Sequence, residues 1–467
     1  MAKFENCELT LLCRVVDNYG DIGVVFRLAK ALSALLPDGG AGLRLIVDNL
    51  ASFAQLSPGV DVTKPLQEHR GWTVCQWDAA REGRALYTET PPLVIVECFA
   101  CGRPGWLDDI LFDKQLQALR RKPVQIINLE YLTAEPYADE FHKLMSLTRS
   151  AQVKKVNFMP GFTDKTGGLI LDGVPLLCGS APAVTSDGNP ASDCVPVLCD
   201  RAPTVTDGGE LCAYTSKPAS SDGNRTQFAE TSASSDKPFT VLVFTYEHDF
   251  SSIADALAAF SAERKDIRIL VAAGKSEEPF RTAWKTCADR AHASEKRLDT
   301  APMTANKILP EPETLPFLPQ DEWDTLLYSS DFLFIRGEDS LSRACLSGKP
   351  FVWHAYPQTE MYHLVKVRAL LDRMKPFFSA EDFCLISDYW LWYNGDETIT
   401  GNAASGSDTN AACAQKASNR PYDSRAALIK ILSRYDELHE SFRAFSKSLI
   451  KNGNLAEHLM TFITEIV

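Results

Sequence analysis

Short apolar runs alternate with amphipathic segments along most of this chain, and that alternation restricts the fold more than any other feature. The runs ELTLLCRVV (8–16), VIVECFA (94–100) and VQIINLEYL (124–132) have the length and β-branched content of buried strands. The segment DDILFDKQLQALRRK, between the last two runs, has the pattern of a helix. Strands that alternate with helices predict an α/β fold with a parallel, doubly wound sheet.

The same alternation starts again in the second half of the chain. FTVLVFTYE (239–247), IRILVAAGK (267–275), DFLFIRGED (331–339) and PFVWHAYPQ (350–358) each read as a strand that ends in a polar loop. The sequence therefore predicts two sheet domains that face each other across a cleft. In open α/β sheets, ligands bind outside the carboxyl ends of the strands.

Two stretches rich in Ser, Ala, Asp, Gly and Pro show no periodicity, and they set the domain limits. Such stretches bury too little apolar surface to order themselves. We predict an N-terminal acceptor domain over residues 1–176, a low-complexity linker over 177–237, and a C-terminal nucleotide-sugar domain over 238–423 with a low-complexity loop at 400–420. Residues 424–467 are predicted to form one or two amphipathic helices that pack back on the N-terminal domain.

The charge balance excludes several classes of partner. The chain has 467 residues with 61 acidic and 48 basic side chains, so its formal net charge is −13. This balance argues against binding to nucleic acid or to an acidic membrane, and it is compatible with a positively charged protein partner. No run approaches the ~20 apolar residues that span a bilayer, and the N-terminus has no export signal. We therefore predict a cytoplasmic protein whose 13 cysteines are reduced thiols.

Two acids occupy one predicted strand-to-helix loop in VVDNYGDIGVVFRLAKALSALL (15–36). Asp17 and Asp21 lie in the loop 17–23. The helix that follows has one apolar face, and the turn residues 37–40 end it. One reading is that Asp21 caps the helix by accepting backbone N–H groups. Capping does not explain both acids, nor their position at the carboxyl end of a strand, so a catalytic role stays open.

The segment FIRGEDSLSRACLSGKP (334–350) combines a glycine turn with the start of a helix. We predict that the helix begins at Ser340 and stops at Gly348. A helix N-terminus after a glycine turn can bind an anion. Glu338 would then accept hydrogen bonds from a sugar or a backbone amide. Taken alone, a capped helix with a surface acid is the commoner explanation.

A third segment, TLPFLPQDEWDTLLYSSD (314–331), places Phe317, Gln320 and Trp323 around the start of a helix. An aromatic face with an amide suits a nucleobase, which needs stacking and hydrogen bonds to its edge. Core packing explains either aromatic residue singly. The same alternatives hold for Phe244 and Tyr246, at the end of the run 239–247.

Six motifs in order resemble one family. VVDNYGDIGVVFRLAKAL, NLEYLTAEPY, FMPGFTDKTGGL, LPFLPQDEWDTLL, FIRGEDSLSRA and WHAYPQ are similar to the bacterial protein-arginine rhamnosyltransferases of elongation factor P, the EarP family. The resemblance implies a GT-B glycosyltransferase fold, with two Rossmann-like domains around a cleft. It also implies inverting transfer of L-rhamnose from dTDP-β-L-rhamnose to an arginine of elongation factor P, which activates that factor for translation of polyproline stretches.

The resemblance also implies roles for particular residues. The catalytic carboxylates fall on Asp17 and Asp21, with Asp21 the favoured general base, and on Glu338. The remaining matched positions would bind the donor: Asn18, Tyr19, Gly20, Phe244, Tyr246, Phe317, Gln320, Arg336, Asp339 and Ser340. No metal or other cofactor is implied.

Two other functions remain compatible with the residues alone. The chain could be a GT-B enzyme that uses another nucleotide sugar or a small-molecule acceptor, because sequence does not specify sugar stereochemistry. It could also be a non-catalytic protein that binds elongation factor P, although Asp17, Asp21 and Glu338 speak against that reading.

Overall fold

A computed structural model describes residues 9–15, 20–36, 42–174, 237–264, 266–295, 309–399 and 422–467. By its contacts the chain divides into one unit of Met1–Pro175 with Pro238–Val467 and a second unit, Leu176–Lys237. Residues 177–236 of the predicted linker 177–237, and the whole predicted loop 400–420, lie outside the described residues.

The N-terminal half forms an eight-stranded sheet in the described residues. Its strands are β1 (Leu9–Cys13), β2 (Leu43–Val47), β3 (Leu66–His69), β4 (Trp72–Gln76), β5 (Val94–Cys98), β6 (Val124–Leu129), β7 (Met145–Ser146) and β8 (Val153–Phe158). The strand order is β3-β4-β2-β1-β5-β6-β8-β7, and only the edge strands β3 and β7 pair antiparallel. The three runs predicted as strands are β1, β5 and β6, which are buried throughout and lie side by side at the centre of the sheet.

The second half forms a five-stranded sheet in the described residues, parallel throughout. Its strands are β9 (Phe239–Val243), β10 (Ile267–Ala272), β11 (Glu313–Leu315), β12 (Phe332–Arg336) and β13 (Phe351–His354), in the order β11-β10-β9-β12-β13. The four predicted strands are confirmed as β9, β10, β12 and β13. The three-residue strand β11 was not predicted, because so short a run has no readable period.

Helices cover both sheets. Those of the first half are α1 (Gly20–Leu35), α2 (Leu50–Leu56), α3 (Ala80–Glu89), α4 (Gly105–Phe112), α5 (Lys114–Leu119) and α6 (Tyr137–Phe141). Those of the second sheet are α7 (Ser251–Glu263), α8 (Glu277–Glu295), α9 (Gln320–Ser329), α10 (Glu338–Ser347), α11 (Tyr362–Met374) and α12 (Ala380–Tyr393).

The C-terminal segment contains three helices, not the predicted one or two. They are α13 (Ser424–Ser433), α14 (Tyr435–Lys451) and α15 (Leu455–Ile466). The chain breaks at Arg434 and again at Asn452 and Gly453, and Gly453 has a φ of 94°. α14 packs on α10 in the second half, whereas α15 returns to α1 and shares the core of the N-terminal sheet.

The cysteines do not all follow the sequence prediction. Cys13, Cys75, Cys98, Cys101, Cys287 and Cys345 are free thiols. Cys384 is disulfide-bonded, so the prediction of reduced thiols is wrong at this position. None of the described helices combines the length and apolar character that a membrane crossing requires.

Candidate active site

Asp21 is buried at the start of α1, next to the carboxyl end of β1. The helix begins at Gly20, so Asp21 is its second residue and Gly23 lies in its first turn, not in a loop as predicted. Only 5% of the surface of Asp21 is exposed. The predicted residues Asp17, Asn18 and Tyr19 lie outside the described part of the chain, and the structure therefore places one member of the predicted acid pair.

A tyrosine that the sequence prediction did not single out holds Asp21. The hydroxyl of Tyr131 donates to Oδ1 of Asp21 at 3.2 Å. The ring of Tyr131 stacks on Phe99, with a centroid distance of 4.5 Å and an interplanar angle of 17°. Phe99 follows β5 and Tyr131 follows β6, so the edge formed by the carboxyl ends of neighbouring strands orients the acid on α1.

Glu338 reaches the same edge from the second half of the chain. The backbone N–H of Leu132 donates to Oε1 of Glu338 at 2.8 Å. Tyr131 and Leu132 are neighbours in sequence. Asp21 and Glu338, which are far apart in the chain, therefore accept hydrogen bonds from adjacent residues. Burial raises the pKa of Glu338 to about 8; the Leu132 N–H opposes this shift, and the charge of Asp21 adds to it.

The glycine turn before Glu338 differs from the prediction in one respect. α10 begins at Glu338, two residues earlier than predicted, with Gly337 as its N-cap at φ 76°. No side chain caps this end of the helix. Gly348 ends the helix in the left-handed conformation, as predicted. Ser340 is buried in the first turn of α10.

The carboxylate of Asp339 binds an arginine that the sequence prediction missed. Arg27 of α1 donates from Nε to Oδ1 of Asp339 at 2.8 Å and from Nη2 to Oδ2 at 2.9 Å. Burial by itself favours the protonated carboxyl, but the Arg27 cation outweighs it and holds the pKa of Asp339 below its usual range. Asp339 therefore stays ionised and bound to the N-terminal half.

Gln320 bridges the two halves beside this pair. Its Nε2 donates to the carbonyl oxygen of Gly23 at 3.0 Å and to Oδ2 of Asp339 at 3.2 Å. Gln320 is buried, and its Oε1 has no hydrogen-bond partner among the described residues. A buried acceptor without a partner is costly, so this oxygen is suited to receive a donor from a ligand.

Arg336 lies between two aromatic rings at the end of β12. Its guanidinium carbon is 4.6 Å from the ring centroid of Phe244 and 4.7 Å from that of Tyr246. Trp323 packs edge-on against Phe244, with a centroid distance of 4.9 Å. Buried Nε of Arg336 has no hydrogen-bond partner among the described residues. A cation held by rings in this way can turn its N–H groups toward an anion.

The structure brings most of the predicted donor residues to one edge of the second sheet. Phe244 and Tyr246 follow β9, Arg336 ends β12, and Gln320 begins α9. Phe317 lies just before α9 and is 52% exposed. A mainly apolar cavity lies beside Glu338, and Val24, Phe99, Leu132 and Ser342 contribute to its wall. Phe244, Tyr246, Gln320 and Arg336 do not line this cavity.

Metal binding finds no support in the part of the chain that the structure describes. No group of three or more His, Cys, Asp or Glu side chains there could hold a metal ion. The absence of a metal from the reaction stays a prediction.

Two parallel-sheet domains around a cleft, with a last helix that returns to the first domain, define a glycosyltransferase of the GT-B class, and the predicted fold is confirmed. The family model described as "Elongation-Factor P (EF-P) rhamnosyltransferase EarP" matches residues 9–184 and 207–464. The chain belongs to this family.

Curated relatives agree with that assignment. A protein-arginine rhamnosyltransferase of Pseudomonas putida is 30% identical over 388 residues, which cover 83% of this chain and 86% of that protein. One from Shewanella oneidensis is 30% identical over 369 residues, which cover 77% and 79%. The predicted enzyme class, a protein-arginine rhamnosyltransferase, is confirmed.

A solved structure described as the structural basis for EarP-mediated arginine glycosylation of translation elongation factor EF-P is 20% identical, with a TM-score of 0.44. The superposition covers 98% of this chain and 99% of that one.

Proposed function

We propose that this chain transfers L-rhamnose from dTDP-β-L-rhamnose to an arginine side chain of elongation factor P, with inversion at the anomeric carbon. One observation carries the proposal: Asp21 and Glu338, from different halves of the chain, converge on the adjacent residues Tyr131 and Leu132. Family membership supplies the reaction class and the acceptor that the family description names.

Asp21 is the proposed general base. A guanidinium is protonated at neutral pH and its nitrogens are poor nucleophiles. A carboxylate can bind the cation and accept a proton as the C–N bond forms. In that step the nitrogen attacks the anomeric carbon, the C–O bond to the diphosphate breaks, and dTDP leaves with the electron pair. Asp17 is the proposed second carboxylate of the acceptor site.

Glu338 is proposed to contact the rhamnose. With its pKa near 8, the carboxyl is largely protonated at neutral pH in the donor-free protein. A neutral carboxyl can donate a hydrogen bond to a sugar hydroxyl while its other oxygen accepts from Leu132. The neutral Glu338 carboxyl is therefore suited to bind the sugar. It is less suited to stabilise positive charge on the sugar ring, which requires a carboxylate.

The leaving diphosphate requires hydrogen-bond donors. Arg336 offers a guanidinium whose buried Nε has no partner among the described residues, and the start of α10 offers backbone N–H groups that no side chain caps. Asp339 and Ser340 stand at this helix start. Asn18, Tyr19 and Gly20 stay proposed donor contacts.

The nucleobase is proposed to lie beside α9. The buried Oε1 of Gln320 can accept from the N3–H of thymine, and Phe317, Phe244 and Tyr246 provide aromatic surface nearby.

The test is mass analysis of purified elongation factor P after incubation with the chain and dTDP-β-L-rhamnose. The expected result is a gain of one deoxyhexose that fragmentation places on an arginine. Controls are the Asp21→Asn variant and an elongation factor P whose acceptor arginine is replaced by lysine. Gain with a UDP-sugar only would support another donor, and binding without any gain would support a non-catalytic binding protein.

A further inference from the structure

One face of α1 is bonded to the second half of the chain over two turns. Gly23, Arg27 and Lys30 are spaced four and three residues apart, so they lie on the same face of the helix. Gly23 accepts from Gln320 at 3.0 Å, and Lys30 donates to Asp321 at 2.7 Å. Arg27 lies between these contacts and makes most of the hydrogen bonds.

Arg27 binds two carboxylates at once. It donates to Asp324 from Nη1 at 2.6 Å and from Nη2 at 3.0 Å, and to Asp339 from Nε at 2.8 Å and from Nη2 at 2.9 Å. Only 1% of its surface is exposed. The planar guanidinium suits this arrangement, because its N–H groups diverge in fixed directions; an ammonium group cannot bind both acids in the same way.

The cluster around Arg27 is costly to bury. Burial lowers the pKa of the Arg27 guanidinium, but Asp339 and Asp324 together raise it well above its ordinary value. Oδ1 of Asp172 lies 3.8 Å from a terminal nitrogen of Arg27 and 3.8 Å from one of Arg343. A buried ion cluster gives little stability over apolar packing of the same volume, whereas its directional bonds fix one relative position of the groups that carry it.

Arg27 connects α1 and α10, the two helices that contain the proposed active-site acids Asp21 and Glu338. Arg27 is six residues after Asp21 on the same helix. Its partner Asp339 directly follows Glu338 on α10. The bonds from Arg27 therefore set how close α1 comes to α10, and with it how close Asp21 comes to Glu338.

We propose that Arg27 is a positioning residue of the transfer reaction: by binding Asp324 and Asp339 across the cleft, it holds the acceptor-side acid Asp21 at the distance from the donor site that transfer requires. This inference rests on the proposed function. It assigns Arg27 no contact with either substrate.

The test compares Arg27→Gln and Arg27→Lys with Lys30→Gln. Lys30 is a matched control, because it also bonds α1 to α9 but pairs with the exposed Asp321. Steady-state kinetics give kcat and KM for both substrates, and isothermal titration gives the affinity for dTDP. All variants are assayed at a temperature at which circular dichroism shows them to be folded.

Arg27→Gln is expected to lower kcat at least about tenfold while dTDP affinity stays within about threefold, because the proposed contacts to the base and the diphosphate, Gln320 and Arg336, both lie in the second half of the chain. Arg27→Lys keeps the positive charge but lacks the diverging N–H groups of the guanidinium, so its kcat should lie between those of Arg27→Gln and wild type. Lys30→Gln should stay within about twofold of wild type. Small-angle scattering should show a larger radius of gyration for Arg27→Gln than for Lys30→Gln.

A kcat of Arg27→Gln within about twofold of wild type would overturn the inference, and so would an equal loss of dTDP affinity and kcat. Full rescue by Arg27→Lys would also overturn it. If both Arg27 variants fail to fold, Asp324→Asn serves in their place, with the same expected separation of kcat from dTDP affinity. A wild-type chain that transfers no rhamnose would instead refute the proposed function, and the inference with it.

Discussion

Tyr131 donates its hydroxyl to Asp21 at 3.2 Å, and this bond fixes the direction of a carboxylate at the start of α1. The tyrosine is itself fixed, because its ring stacks on Phe99. Burial and the charge of Asp21 both raise the pKa of Tyr131, so its hydroxyl stays protonated and can only donate to the acid. The Tyr131 hydroxyl therefore orients Asp21, the proposed general base.

Tyr131→Phe should lower kcat about tenfold, because one hydrogen bond to a charged group is lost while the ring stack on Phe99 is kept. The measurement is the initial rate of deoxyhexose transfer at saturating donor. Tyr362→Phe is the matched control. The Tyr362 hydroxyl also donates to a carboxylate, that of Glu135, at 2.9 Å, and not to Asp21. Equal rates for Tyr131→Phe and wild type would show that Asp21 needs no such orientation.

Asp21→Asn should lower the rate of transfer at least about a hundredfold, while the affinity for dTDP stays nearly unchanged. Asparagine keeps the shape and can still accept from Tyr131, but its amide cannot take a proton. Rates come from mass analysis and affinities from isothermal titration. If dTDP affinity falls together with the rate, the assignment of Asp21 to the acceptor side is wrong.

The central strands could be predicted because each is short, apolar and buried on both faces. β1, β5 and β6, like β9 and β12, have this pattern and lie in the middle of their sheets. Helix starts were less predictable. α10 begins at Glu338 because Gly337 takes a positive φ, a backbone property that propensity and capping residues do not reveal.

In the candidate site, Asp21 and Glu338 could be selected from the sequence, whereas the residues that hold them could not; the catalytic roles of both acids stay predictions. Asp21 and Glu338 follow strands, where ligands are expected. Arg27 gave no signal, because an arginine on an amphipathic helix usually faces water; its partners lie 297 and 312 residues away. Tyr131 did offer a signal, because NLEYLTAEPY places it directly after a buried strand.

Gln320→Ala should weaken dTDP binding about tenfold, because it removes the buried Oε1 that has no partner among the described residues and is proposed to accept from thymine. Isothermal titration with dTDP measures the effect. Thr325→Ala, on the exposed face of the same helix, is the control and should bind normally. Unchanged dTDP affinity in Gln320→Ala would remove this residue from the base pocket.

Arg336→Lys should weaken binding of dTDP about tenfold and leave binding of thymidine unchanged. Lysine keeps the charge but cannot stack flat between Phe244 and Tyr246 while presenting several N–H groups to the diphosphate. Competition titrations with both ligands measure the two affinities. A parallel loss for thymidine would indicate that Arg336 supports the aromatic pocket and does not contact the diphosphate.

Glu338→Gln should make the donor-free protein more stable at alkaline pH. The carboxyl has a pKa of about 8 when folded and an ordinary value of 4.5, so between these values the folded state retains a proton that the unfolded state has released. The free energy of unfolding therefore falls as pH rises through this window, and the whole loss is present above the folded pKa.

Glutamine removes this pH dependence, and its side-chain oxygen can still accept from Leu132. The melting temperatures of variant and wild type should agree at about pH 5 and differ by about 2 °C or more at about pH 9, with the variant higher. Calorimetry over this range measures the difference. A constant difference at every pH would mean that the Glu338 carboxyl is not held protonated at the start of α10.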